Sequence, residues 1–260
     1  VVFKLILGGV LVPQKTYAAM TGESGQLSLE IYNFSGEAKT GKIDFTGKGR
    51  LEGLPNTVTL PPNGKTALAL RYTAGPGTES LIAFTGVFNG KRVSTLRAPI
   101  WRLAAAKARN FAFDQPVRWR AGSPGNLDIT YDAQEKAVKF KLEFASAQPG
   151  EADATPEYVL NFPEESLRGA VGLSFEIRTR KDAPPTNGFA SRFIGVQDKG
   201  VDEIILYPLP TSEWQSRFVY FPADASPYFD PARVTRLKIG LALSKKGDAF
   251  WLRNVKVIYK

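Results

Sequence analysis

The side chains available for chemistry in this chain are carboxylates, amines, guanidinium groups, phenols and hydroxyls. Its 260 residues include no Cys and no His. Zinc sites built from thiolates or imidazoles, disulfides and triads with a histidine base are therefore excluded. The common reaction that this residue set still supports is glycoside hydrolysis by two carboxyl groups about 5–10 Å apart.

The spacing of the acidic residues does not favour that reaction. Two carboxylates that work together on one strand must alternate, so that they share a face. Glu151 and Asp153 form the only Glu-x-Asp pair, within a stretch rich in Pro, Gly and Ala. The pairs Glu164-Glu165 and Asp202-Glu203 are adjacent and point to opposite faces of a strand. A lyase with Tyr or Lys as base is the other enzymatic alternative, and no motif indicates it.

The aromatic and polar residues of the second half favour binding instead. A sugar site combines a few aromatic rings with well-placed charged and amide groups. Trp119, Trp214 and Trp251 all lie in this half, although core packing is the alternative role for each ring. The polar faces of its middle strands offer the candidate side chains Glu176, Arg178, Arg192, Glu203, Tyr207, Gln215 and Arg217.

A structural calcium ion is a further candidate, with no ion as the alternative. Calcium binds clustered oxygen ligands. Asp114, Asp128, Asp132 and Asp248 lie near the ends of the second half. Of these, Asp114 and Asp248 are the ligands that we would expect. No other cofactor is predicted.

The first 100 residues read as short strands with alternating apolar residues. The opening stretch VVFKLILGGVLVPQKTYAA is interpreted as beginning with a strand rather than as a signal peptide, because Gly8-Gly9 interrupts its short apolar run and Pro13, Gln14 and Lys15 follow. Asn89-Gly90 is typical of a two-residue hairpin turn. Strands spaced every 8–12 residues by Gly, Pro and Asn turns predict an immunoglobulin-like β-sandwich over residues 1–100.

A short Ala-rich stretch separates this unit from a longer one. Residues 101–109 are predicted to be a linker, because Leu103–Arg109 is too short for a stable helix. Residues 110–260 are predicted to form a β-jelly roll of ten strands, the first at Phe111–Trp119. The fold class is therefore all-β, an immunoglobulin-like β-sandwich followed by a β-jelly-roll sandwich.

The net charge of +9 is uneven. Residues 1–100 hold 11 basic and 6 acidic side chains, whereas residues 126–260 hold 18 of each. There is no run of basic residues and no helix–turn–helix pattern, so nucleic acid is not an expected partner. No apolar stretch approaches the length of a membrane span. A neutral second unit argues against an acidic ligand there.

Several short motifs follow one another in the second unit: Phe111-Ala112-Phe113-Asp114, Ser212-Glu213-Trp214-Gln215, Phe229-Asp230-Pro231, Val234–Gly240 and Phe250–Val257. Their order resembles the galactose-binding-like carbohydrate-binding modules of glycoside hydrolases, of the general type of families 4, 11 and 30. The resemblance implies glycan binding on a concave face, with Arg178, Arg192, Tyr207 and Arg217 as the best matches to its lining. Trp214 and Glu176 complete the predicted site. Such modules often carry an Asp calcium ligand where this chain has Arg253-Asn254.

The first unit resembles the immunoglobulin-like accessory domains of secreted polysaccharide-degrading enzymes, through Leu60–Lys65 before a strand. The predicted function is therefore a non-catalytic, polysaccharide-binding accessory region of an extracellular or cell-surface bacterial protein. Its expected partners are a plant or microbial glycan and adjacent domains of the same polypeptide. The alternatives are a jelly-roll hydrolase or lyase, and a structural or adhesive module without glycan affinity.

Overall fold

The computed structural model describes residues 1–13, 16–121, 127–143, 156–180, 191–197, 200–206, 209–241, 243 and 246–260. Of these residues, 61% lie in strands and 6% in helices. The predicted all-β, β-sandwich class is confirmed. The chain divides into two compact units, Val1–Val10 with Lys15–Ala106, and Leu11–Gln14 with Lys107–Lys260.

Two sheets form the first unit. The strands up to residue 106 are β1 (Val2–Leu7), β2 (Val10–Leu11), β3 (Ala18–Met20), β4 (Ser24–Asn33), β5 (Lys39–Gly47), β6 (Gly49–Glu52), β7 (Val58–Leu60), β8 (Gly64–Ala74), β9 (Glu79–Phe88), β10 (Lys91–Arg92) and β11 (Leu96–Arg102). One sheet has the order β1-β4-β8-β6, and the other has the order β3-β11-β9-β5-β7 with β10 beside β9. This is the two-sheet arrangement that the sequence predicted.

The core of the first unit follows the period-two pattern of its strands. Leu27, Leu29 and Ile31 alternate along β4 and are buried together in this core. The first strand is confirmed as well, since β1 pairs antiparallel with β4 over its whole length. Asn89 and Gly90 both have positive φ angles, 46° and 75°, as a type I′ hairpin turn requires.

Two further sheets form the second unit. Its strands are β12 (Lys107–Arg109), β13 (Trp119–Arg120), β14 (Leu127–Asp132), β15 (Ala137–Leu142), β16 (Glu157–Val159), β17 (Ala170–Thr179), β18 (Ser191–Gln197), β19 (Gly200–Leu206), β20 (Gln215–Tyr220), β21 (Val234–Leu241) and β22 (Ala249–Tyr259). The helical pieces are α1 (Phe221–Asp224) and the 3₁₀ turns Leu103–Ala105, Pro116–Arg118 and Pro231–Arg233. A seven-stranded sheet has the order β14-β15-β22-β17-β20-β2 with β12 beside β22, and a five-stranded sheet has the order β13-β16-β21-β18-β19.

Successive side chains along the strands of the seven-stranded sheet point alternately to the core and to the outer face. Leu173, Phe175 and Ile177 of β17 join the main core of the unit. Phe250 of β22 is buried in the same core, and the next residue, Trp251, packs in a separate small cluster on the outer face. Successive strand residues point to opposite faces. The side chains of Ser174, Glu176 and Arg178 therefore line the outer face, and Arg178 lies beside Trp251.

Two stretches differ from the sequence prediction. The predicted strand Phe111–Trp119 is wrong, because Pro116 begins a 3₁₀ turn and only Trp119–Arg120 pairs with a neighbour; proline has no N–H to donate to a ladder. In the predicted linker, β11 continues to Arg102, and Lys107–Arg109 forms a strand with Val257–Tyr259 of β22. Among the described residues, no helix has the length and apolar character to cross a membrane.

Candidate functional site

Strand register builds a row of alternating cations and indoles across the outer face of the seven-stranded sheet. Lys139 of β15 and Arg178 of β17 both stand opposite Trp251 of β22. Ile177 pairs with Gln215 of β20, so Trp214, one residue before β20, is next to Arg178 in the same row. Directly opposed side chains in antiparallel strands lie within contact distance of one another. The row therefore reads Lys139, Trp251, Arg178, Trp214.

The cations of this face stack on the two indole rings. The Arg178 guanidinium carbon lies 4.7 Å from the Trp251 ring centroid and 5.4 Å from that of Trp214. Lys139 Nζ lies 5.4 Å from the Trp251 centroid. Arg253 is the closest, with its guanidinium carbon 3.9 Å from the Trp214 centroid. Such cation–π contacts strengthen when they are partly removed from water, and Arg178 is only 6% exposed.

Two glutamates fix the arginines in place. Glu135 Oε1 accepts from Arg178 Nη2 at 2.6 Å, and its Oε2 accepts from Trp214 Nε1 at 3.3 Å. Glu176 Oε2 accepts from Arg253 Nε at 2.6 Å. Arg253 Nη1 also donates to the Glu135 backbone carbonyl at 3.3 Å. Because Glu135 binds Arg178, Trp214 and Arg253 together, this part of the face is organised before any ligand arrives.

Asp132 at the end of β14 anchors the central indole. Trp251 Nε1 donates to Asp132 Oδ2 at 2.9 Å, and the backbone N–H groups of Gln134 and Glu135 donate to Oδ1. The hydrogen bond from Trp251 is the main reason that the pKa of Asp132 lies below its ordinary value, while partial burial opposes that shift. The anchor fixes the orientation of a ring that has Arg178 and Lys139 over it.

A cleft opens beside this row. Ala249 of β22 pairs with Lys141 of β15. Trp251 occupies the equivalent position in the neighbouring row of the same face, and the smaller side chain of Ala249 leaves space that an indole would fill. The cleft has a volume of about 370 Å³. Its lining consists of Glu135, Lys139, Lys141, Arg178, Arg180, Gly247, Ala249 and Trp251. Among the described residues, its lining therefore includes an indole wall and four cationic side chains against one carboxylate.

The two cations beside Ala249, Lys141 and Arg180, are both held by neighbouring groups. Lys141 Nζ contacts Glu143 Oε1 at 2.7 Å, and this hydrogen bond raises the pKa of Lys141, whereas the nearby Arg180 charge lowers it. Arg180 Nη1 donates to the Gly247 carbonyl at 3.0 Å. Within the described part of the chain, Lys139 is in no ion pair.

The structure brings only some of the predicted site residues together. Glu176, Arg178 and Trp214 meet on this face through the contacts above. Arg192 lies on the outer face of the other, five-stranded sheet, because its neighbour Phe193 belongs to the core, and it pairs there with Glu203 at 3.1 Å. Tyr207 lies outside the described residues.

Arg217 lies on the inner side of the seven-stranded sheet. It stands opposite the core residue Phe175, and directly opposed residues share a face. Only 2% of Arg217 is exposed, and Arg217 Nη2 donates to Gln215 Oε1 at 2.7 Å. Burial lowers the pKa of Arg217 to about 10. Arg217 therefore lies on the inner side of the sheet and does not line the outer cleft.

The residues that sequence reasoning missed are Glu135, Lys139, Arg180, Trp251 and Arg253. Trp251 and Arg253 alternate along β22, and Lys139 and Lys141 alternate along β15. That alternation was a usable signal for a shared face within each strand. It did not reveal that β22 lies between β15 and β17, because sheet order depends on long-range pairing.

The two predicted calcium ligands are not brought together. Asp114 lies in a groove with Lys136, Arg253, Asn254 and Lys256, whereas Asp248 precedes the start of β22, about 20 Å along the strand from Asn254. Three basic side chains beside Asp114 do not suit a cation. Among the described residues, no group of three His, Cys, Asp or Glu side chains could hold a metal ion. A calcium ion stays a prediction that this donor set does not fit.

Comparisons with known proteins give architectural neighbours only. No protein-family model and no curated protein sequence matches the chain. Solved structures that match include the tandem of CBM22 carbohydrate-binding modules from Paenibacillus barcinonensis Xyn10C, at 12% identity and TM-score 0.36 over 91% of this chain and 87% of that one.

Two shorter structures match about a third of the chain. A FixG-related protein from Vibrio parahaemolyticus matches at 15% identity and TM-score 0.30, over 38% of this chain and 94% of that one. The MSP-domain protein SSP-19 of Caenorhabditis elegans matches at 14% identity and TM-score 0.26, over 34% and 92%. None of these comparisons assigns the chain to a family.

Proposed function

We propose that the second unit binds a glycan, without catalysis, on the outer face of the seven-stranded sheet. The observation that carries this proposal is the row Lys139, Trp251, Arg178 and Trp214 beside an open cleft. Aromatic rings next to convergent charged groups suit the alternating apolar and hydroxylated surfaces of a sugar. The ion pairs and hydrogen bonds of Glu135 hold these groups rigidly, which reduces the entropy lost on binding.

The carboxylates of this face support binding rather than hydrolysis. A glycosidase needs one carboxyl group that keeps its proton and gives it to the leaving oxygen. Here Glu135 is paired with Arg178, and Glu176 is paired with Arg253, each at 2.6 Å. Each carboxylate is therefore engaged in an ion pair with an arginine of the same face. The non-catalytic role is therefore part of the proposal.

The wider context of the proposal is an accessory region of an extracellular bacterial glycan-degrading protein. A two-unit, all-β chain without Cys or His is compatible with a binding module that follows an immunoglobulin-like spacer. The first unit would then connect or dock the binding unit to adjacent domains of the same polypeptide.

Affinity electrophoresis of the full chain against β-glucans, xylans, mannans and uronates tests the proposal. We expect retardation by at least one polysaccharide, and we expect the variant Trp214→Ala to lose most of it. Phe34→Ala is the matched control, because Phe34 is an aromatic residue of the first unit with 72% exposure. Migration unchanged by every glycan would overturn the binding role. Release of reducing ends or unsaturated products by the purified chain would overturn the non-catalytic part.

A further inference from the structure

We infer that the glycan recognised by this face is acidic, and that its carboxylate or sulfate groups enter the cleft beside Ala249. This inference rests on the proposed function and adds the chemical class of the ligand. Residues 126–260 hold 18 basic and 18 acidic side chains, so their net charge gives no reason to expect an acidic ligand. The inference rests instead on where the basic side chains lie in the folded unit.

The four cations of the cleft occupy two neighbouring rows of the sheet. Lys139 and Arg178 lie on either side of Trp251. Lys141 pairs with Ala249, and Arg180 follows Thr179, the partner of Phe250, so it reaches the other side of Ala249. Strands two apart are separated by about 10 Å. The cations therefore surround a gap that is wide enough for an anionic group and floored by the small Ala249.

The carboxylates that contact the cleft cations are already engaged with groups of the protein. Glu135 is the one acidic residue among the described residues of the lining. Its Oε1 accepts a hydrogen bond from Arg178, and its Oε2 accepts one from Trp214. Glu143 pairs with Lys141 at 2.7 Å. Within the described residues, Lys139 is in no ion pair; its Nζ lies over the Trp251 ring, and the charge of Asp132, which binds Trp251 Nε1, acts on it from nearby. An anionic ligand in the cleft could contact cations on both sides of Ala249 at once.

A neutral sugar would make poorer use of the same surface. Trp251 is only 7% exposed, and its ring has Arg178 and Lys139 over it. One face of Trp214 is covered by Arg253 at 3.9 Å. Because cations occupy these ring surfaces, the groups that face a ligand in the cleft are mainly ammonium and guanidinium donors. Charge-assisted hydrogen bonds to carboxylate or sulfate are the strongest bonds that such donors form.

The test is a binding titration of the full chain with polygalacturonate, with the same polymer after reduction of its carboxyl groups, and with a sulfated galactan. We expect the first or the third to bind and the reduced polymer to bind at least about tenfold more weakly, the effect of losing one charge-assisted hydrogen bond. Binding to the uronate alone identifies carboxylates as the ligand groups, and binding to the galactan alone identifies sulfates. The affinity should fall as salt is added.

Charge-matched variants separate the cleft from the general basic character of the chain. The double variant Lys139→Gln/Arg180→Gln should raise the Kd for the acidic polymer about tenfold or more. The control Arg236→Gln/Arg50→Gln removes the same charge from two exposed arginines outside the cleft and should change the Kd by less than about twofold. Circular dichroism and thermal unfolding verify that both variants fold.

Three results would overturn the inference. Equal weakening by the cleft and control variants would show non-specific attraction to a basic protein. Equal displacement of the polymer by duplex DNA would show that any polyanion is accepted. Tight, salt-independent binding of the reduced polymer would show a neutral ligand and would leave the proposed function intact. Absence of binding to every acidic and neutral glycan would instead overturn the proposed function itself.

Discussion

The two outer faces of the second unit both carry charged side chains, but they use them differently. On the five-stranded sheet, two cross-strand ion pairs lie apart from any indole: Arg192 pairs with Glu203 at 3.1 Å and Arg236 pairs with Glu157 at 2.8 Å. On the seven-stranded sheet, arginines stack on two indoles, and cations outnumber acids around the cleft. The comparison shows two arrangements of surface charge. Separate cross-strand ion pairs stand apart from one another on one face, whereas on the other face cations, indoles and carboxylates contact one another beside a cleft that a ligand could enter.

The largest difference between the faces should be in the stabilising role of Trp251. Trp251→Ala removes a nearly buried ring that packs on Ala137 and Ala249 and should cost about 3 kcal/mol of unfolding free energy. Val201→Ala, on the exposed strand of the other face, should cost less than about 0.5 kcal/mol. Equilibrium urea unfolding of the full chain measures both values. Similar costs for the two variants would contradict the contrast.

A smaller difference should follow from removing one acid on each face. Glu135→Gln leaves Arg178 nearly buried without its counter-charge and should destabilise the unit by about 2 kcal/mol, because an unpaired buried charge is costly. Glu203→Gln breaks a more exposed pair and should cost about 0.5 kcal/mol. Thermal unfolding at matched pH compares them. Equal unfolding midpoints for the two variants would contradict the burial of Arg178 between Trp214 and Trp251.

The smallest effect concerns acid sensitivity at the indole anchor. The folded-state pKa of Asp132 is lowered, mainly by Trp251 Nε1, so this group adds stability above its ordinary pKa and loses that contribution as the pH falls through the lowered value. Trp251→Phe deletes the donor. The unfolding free energy of this variant should be about 1 kcal/mol lower than that of the parent chain at neutral pH. The difference between the two proteins should become smaller below about pH 4.

Unfolding free energies of both proteins between neutral pH and about pH 3 measure that difference. Asp128→Asn offers a control carboxylate on the same strand, β14, outside the indole anchor. A difference that stays constant with pH would mean that the Trp251 hydrogen bond does not favour the charged form of Asp132.

Local sequence patterns were sufficient for much of the fold. Period-two alternation identified β4, β17 and β22 to within a few residues, because one face of each strand is buried. Asn89-Gly90 identified a hairpin through its tolerance of positive φ. Phe111–Trp119 was misjudged because its aromatic residues satisfy a strand pattern, whereas Pro116 cannot join a ladder.

The candidate site was predictable only in part. Glu176, Arg178 and Trp214 were identified because they occupy polar positions on or beside adjacent strands. Arg192 and Arg217 had the same local pattern, yet one lies on the other sheet and one points inward. Odd and even positions along a strand indicate which residues share a face. Only pairing with a core residue such as Phe175 decides which of the two faces points inward.

The sequence by itself determined the available chemistry and the strand-rich architecture: with no Cys and no His, imidazole and thiolate chemistry cannot occur, and alternation requires sheets with one apolar side. The tertiary structure decided where the charge acts. Residues 126–260 are neutral in sum, but antiparallel pairing of β15, β22 and β17 places Lys139, Lys141, Arg178 and Arg180 around Ala249. Electrostatic attraction depends on local distances rather than on net charge, so the composition alone indicated no acidic ligand, whereas the folded cleft favours one.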